Sequence, residues 1–127
     1  MARVLVIDDE QHIRDACVRV LAKVGWTVVC AKTGEEGLKE IGRGTEKIDV
    51  LLLDQLMPGM SGTQVLERLQ VTHPALPVVI MTGSATEELA NEMKRKGACD
   101  CVAKPFTPDE LREAVKRAAS RTLPPPN

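Results

Sequence analysis

Residues 50–54 read Val50-Leu51-Leu52-Leu53-Asp54, four apolar side chains running directly into a carboxylate. A run this short and continuous suits a strand buried on both faces, as in a parallel sheet, rather than a strand with one wetted face. The same shape recurs in both directions along the chain. Residues 4–7 (VLVI) lead into Asp8-Asp9, and residues 78–81 (VVIM) lead into Thr82. Weaker runs at residues 28–31 and 101–103 complete a series of five, the last placed partly by the rhythm of the others.

Between the runs lie amphipathic stretches with readable ends. Ile13, Cys17, Val20, Leu21 and Val24 recur at helical spacing, and Gly25 supplies the stop. Thr33 with Glu36 has the form of a capping box opening a second helix, closed by Gly42 and Gly44. Ser61 opens a third helix, with Val65, Leu66 and Leu69 inward; Gly59 and Gly62 read as turn residues beside it. Ser84 with Glu87 is expected to cap a fourth, whose last turn carries Lys94, Arg95 and Lys96 before Gly97, where the helix dipole favours cations. Thr107-Pro108-Asp109-Glu110 starts a fifth, with proline at the first helical position. Strand and helix thus alternate five times. Right-handed crossovers then put helices on both faces of a parallel sheet, a doubly wound α/β fold. The expected architecture is flavodoxin-like (βα)5 with strand order 2-1-3-4-5.

The composition excludes several functions. A length of 127 residues suits one domain, expected over residues 1–121, with Thr122-Leu123-Pro124-Pro125-Pro126-Asn127 as a proline-rich tail or the start of a linker. The 17 basic and 18 acidic residues leave a net charge of −1, so no cationic surplus exists to hold a nucleic acid or an anionic membrane. Trp26 and Phe106 are the only aromatic residues, which nearly excludes stacking on bases or sugars and leaves no set of rings for a flavin. No apolar run approaches the ~20 residues of a membrane helix, and the N-terminus lacks the form of a signal peptide. Cys17, Cys30, Cys99 and Cys101 then read as free thiols, and a cytoplasmic protein is expected.

In an open doubly wound sheet, ligands sit beyond the carboxyl ends of the strands, where strand order reverses. Asp8, Asp9 and Asp54 leave the first and third strands, which this order makes neighbours; Thr82 and Lys104 leave the fourth and fifth. Three carboxylates in one pocket repel one another, and a hard divalent cation with oxygen ligands relieves that. With part of the charge absorbed, one carboxylate can attack phosphorus, while a hydroxyl and an ammonium serve the equatorial oxygens. His12 and His73 fall on a helix start and in a loop and read as surface residues, and Cys99-x-Cys101 lacks a second pair at zinc spacing.

The motifs VLVIDDE, VLLLDQLMPGMSG, VVIMTG and VAKPF, in that order, resemble the receiver domain of two-component response regulators over about residues 3–119. The resemblance implies that Asp54 is the phosphoacceptor and that Asp9 ligates Mg2+ directly, with Mn2+ as a substitute. It implies that Asp8 acts on the metal mainly through water and that the Leu56 backbone carbonyl completes the protein ligands. Thr82 and Lys104 would contact the phosphoryl oxygens, and the Lys104–Pro105 bond would be cis, aiming the lysine inward. The implied partners are a sensor histidine kinase or a phosphotransfer protein, which would supply the phosphoryl group; the three prolines of the tail suit either a hinge to an output domain or the terminus of a stand-alone receiver. Homodimer formation stays open, and direct nucleic-acid or membrane binding is not expected. Phosphorylation would shift the strand-four loop and change the partner preference of the surface formed by helix four, strand five and helix five.

Two residues depart from the family pattern. Cys101 stands three before Lys104, where many receivers have an aromatic ring or a histidine, so the usual coupling to Thr82 has no ring to rotate. Leu56, two beyond Asp54, can neither orient nor deliver a water, which predicts slow self-dephosphorylation. The alternative function is a receiver-like interaction domain that signals without phosphate. A phosphatase of the haloacid dehalogenase type would need an acid where Leu56 stands, and no glycine-rich dinucleotide fingerprint occurs.

Overall fold

A computed structural model describes residues 2–120. Five strands and five helices alternate: β1 (Arg3–Ile7), α1 (Gln11–Ala22), β2 (Thr27–Ala31), α2 (Gly34–Arg43), β3 (Val50–Asp54), α3 (Gly62–Thr72), β4 (Val78–Thr82), α4 (Glu87–Arg95), β5 (Asp100–Ala103) and α5 (Pro108–Ser120). All pairings are parallel, in the order β2-β1-β3-β4-β5, so the expected α/β architecture and strand order hold. The proline-rich tail lies outside the described residues.

The three continuous apolar runs are the three interior strands, and alternate residues of each feed opposite cores. Val4, Val6, Val50, Leu52, Val79 and Met81 pack with Cys17, Leu21, Leu111 and Val115 beneath α1 and α5. Leu5, Ile7, Leu51, Leu53, Val78 and Ile80 pack with Ile41, Val65, Leu69 and Met93 beneath α2, α3 and α4. The edge strands β2 and β5 are less buried, and Cys30 on β2 is exposed, which explains their weaker apolar signal.

Helix ends follow the sequence with local corrections. Ser61 with Gln64 and Thr107 with Glu110 form reciprocal capping boxes. Thr33 accepts from the Glu36 amide, but the Glu36 carboxylate accepts from Lys32 N instead of closing the box. Gly42 lies inside α2, and Gly44 is the left-handed cap. The cap of α4 is Thr86, not Ser84: Thr86 Oγ1 accepts from Leu89 N, while Ser84 N is drawn back to Thr82 Oγ1. Lys96 caps that helix instead of lying in its last turn. Val24 falls beyond the end of α1 and is exposed. Gly62 is the first residue of α3, not a turn residue: a Cβ there would overlap the Asp54 carbonyl oxygen and approach Gln55 Cα to 2.9 Å.

Candidate functional site

Only three polar or charged residues among those described are buried: Asp8, Asp54 and Thr82. All three stand at the carboxyl ends of the interior strands. The register places Ile7 opposite Leu53 and Asp54 opposite Met81, so the chain leaving β1 meets the end of β3 one step before the end of β4. Two buried carboxylates on adjacent strands are unfavourable for folding alone and require compensation.

Lys104, entering from β5, supplies part of it. Its Nζ lies 2.8 Å from Asp8 Oδ2, 3.2 Å from Asp54 Oδ1 and 3.6 Å from Glu10 Oε1. Burial pulls the ammonium pKa down, but Asp8 and Asp54 more than offset this, and the net direction is upward. Lys104 therefore stays charged. The Lys104–Pro105 bond is cis, as the resemblance implied. Asp8 Oδ1 accepts from Glu10 N at 2.9 Å, whereas Oδ2 has only the close ammonium, without hydrogen-bond alignment.

Asp54 remains under-compensated. Burial and the Asp8 charge outweigh Lys104 and push its carboxyl from 3.8 to about 6. Because the folded value lies above the unfolded one, the folded state binds the extra proton between those limits, and stability falls as pH rises through that window. Asp54→Asn is therefore expected to stabilise the protein in EDTA at pH 7.5 by about 1–2 kcal/mol, less than the ~3 kcal/mol of the whole shift because solvent at the mouth of the site and local relaxation screen part of the repulsion. Chemical denaturation from pH 3.5 to 8 should show the gap opening between about pH 4 and 6; a gap independent of pH would contradict this origin.

One oxygen each of Asp8, Asp9 and Asp54 lie within 4.8 Å of one another. Hard oxygen donors, a buried Asp8 Oδ2 without an aligned donor and surplus negative charge fit a small divalent cation. Asp9 is exposed at the mouth. Leu56 lies two residues beyond β3 with its side chain in solvent. Thr82 Oγ1 donates to Gln55 Oε1 at 2.8 Å and accepts from Ser84 N at 3.1 Å. Its hydroxyl is thus held by Gln55, which no sequence motif singles out; nor does any motif single out Glu10 or Arg14, whose guanidinium donates to the Asp8 carbonyl at 2.8 Å.

The model of the response regulator receiver domain matches residues 4–116. The chain belongs to that family. This receiver is 40% identical over 117 residues to the DNA-binding transcriptional regulator NtrC of Escherichia coli K12, covering 92% of this chain and 24% of that protein. It is 36% identical over 115 residues to sporulation initiation phosphotransferase F of Bacillus subtilis, covering 91% of each. The chain thus spans about a quarter of the length of NtrC. A receiver domain protein from Clostridium thermocellum superposes with a TM-score of 0.88 at 32% identity, over 95% of this chain and 96% of that one. A CheY-like receiver from Methanospirillum hungatei gives 0.86 at 30% identity, over 96% of each.

The remaining candidates fall outside the receiver's acidic site. His12 and His73 are exposed, on α1 and at the end of α3. Cys99 packs toward the α1–α5 core and Cys101 toward the opposite one, so the two thiols do not face each other. Burial pushes the Cys101 thiol up. Cys101 borders an open groove between α4 and α5 with the small residues Ala85, Ala90 and Ala103. No helix among the described residues is long and apolar enough to cross a membrane.

Proposed function

We propose that this receiver domain accepts a phosphoryl group on Asp54 from the phosphohistidine of a sensor kinase or phosphotransfer protein. The observation that carries this is the pair of buried carboxylates, Asp8 and Asp54, held by one ammonium at the strand ends. An Asp54 carboxylate oxygen attacks phosphorus, the P–N bond breaks, and the departing imidazole nitrogen keeps the electron pair. Asp8, Asp9, Asp54 and the Leu56 carbonyl are the residues to hold Mg2+. When bound, the ion neutralises the carboxylates and the charge on the phosphoryl oxygens. Lys104 steadies an equatorial oxygen, and Thr82 exchanges Gln55 for another. Residues 122–127 serve as a tail or the start of a linker. The working location is the cytoplasm.

Intact mass after incubation with Mg2+ and acetyl phosphate tests this. One added phosphoryl group is expected in the unsubstituted protein and none in Asp54→Asn; incorporation in both, or in neither with Mg2+ bound, overturns it. The lifetime of the adduct follows from Leu56, whose exposed side chain leaves any incoming water unordered. Leu56→Asn is expected to shorten that lifetime by about tenfold, the effect of one added orienting hydrogen bond. An unchanged decay rate would remove Leu56 from the account.

A further inference from the structure

Glu10 is the N-cap of α1, yet its side chain makes no capping hydrogen bond. Asp, Asn, Ser or Thr would satisfy the helix end better. The carboxylate instead reaches the site, with Oε1 3.6 Å from Lys104 Nζ, while Oε2 lies 3.5 Å from His12 Nε2 at the surface. Lys104 is therefore shared among two buried carboxylates and a third that is about half exposed at the rim. The buried pair are the same groups assigned to hold Mg2+. A divalent cation and an ammonium cannot both occupy the space between Asp8 and Asp54 without strong repulsion. The ammonium must give way, and the negative group nearest to it on the solvent side is Glu10.

We propose that Glu10 is a positioning residue that receives the Lys104 ammonium when Mg2+ claims Asp8 and Asp54, and so tunes Mg2+ affinity through Lys104. This rests on the magnesium-dependent reading of the site. Removing the Glu10 charge leaves Lys104 committed to the buried carboxylates and strengthens it as a competitor of the ion. A general loss of negative field would also weaken binding, but it would do so whether or not Lys104 were present.

A double-mutant cycle separates the two. Mg2+ dissociation constants are measured by calorimetric titration for the unsubstituted protein, Glu10→Gln, Lys104→Met and the double variant, each first checked for a cooperative melting transition. Glu10→Gln is expected to weaken Mg2+ binding about fivefold when Lys104 is present and by less than about 1.5-fold when it is Met, a coupling of the size seen for partly exposed ion pairs. Equal weakening in both backgrounds, or no weakening by Glu10→Gln, overturns the role of Glu10 and leaves the magnesium site standing. Failure of the unsubstituted, folded protein to bind Mg2+ at millimolar concentration overturns the site itself, and this role with it.

Discussion

Lys104→Met is expected to destabilise the cation-free protein by about 3 kcal/mol at pH 8, because it strips the counter-charge from two carboxylates that burial keeps from water. The loss should be smaller near pH 6, where Asp54 takes up a proton instead. Saturating Mg2+ should narrow the gap to within about 1 kcal/mol, since a bound ion stabilises the folded state by mass action and supplies the missing positive charge. Urea denaturation with and without Mg2+ measures both quantities. A gap that Mg2+ leaves unchanged would mean that ion and ammonium do not serve the same carboxylates.

Gly62→Ala is expected to destabilise the protein by about 2–3 kcal/mol, toward the upper end for overpacking, because the added methyl meets backbone rather than a movable side chain. Its neighbours would be the Asp54 carbonyl and Gln55 Cα, so relief requires shifting the end of β3 or the start of α3. Gln55 also holds the Thr82 hydroxyl, and Gln55 O accepts from Gly62 N at 2.9 Å, so the distortion passes into the site. Thermal melts should show the lost stability, and the rate of phosphoryl uptake from acetyl phosphate should fall with it. A variant as stable as the parent would show that the loop after β3 yields freely. Gly59→Ala makes a useful comparison: it adds a methyl in open space and is strained only by its positive φ of 77°.

The parts of the fold that were legible in the sequence are those governed by local pattern. The VLVI, VLLL and VVIM runs identified the interior strands because a strand buried on both faces must be apolar at every position. The edge strands, half-wetted, carry less signal, and Cys101–Val102–Ala103 is marked mainly by its place in the alternation. The carboxylates of the site were legible for a related reason: an acid immediately after a fully apolar run has no packing explanation. What stayed hidden depends on tertiary neighbours. Ser84, three before Glu87, has the form of a cap in sequence, yet its amide donates to Thr82 Oγ1 and the cap falls to Thr86. Gly62 resembles a turn residue until Asp54 is packed against it. Glu10 reads as an ordinary acid at a helix start, and its contact with Lys104 joins residues about three-quarters of the chain apart.

The proposed phosphoacceptor is Asp54. Borohydride reduction of the protein treated with Mg2+ and acetyl phosphate converts an aspartyl phosphate to homoserine, which peptide mass mapping locates. Homoserine at position 54 alone, dependent on Mg2+, is the predicted result. Homoserine at position 8 or 9, or none in a protein that has gained phosphoryl mass, would contradict it.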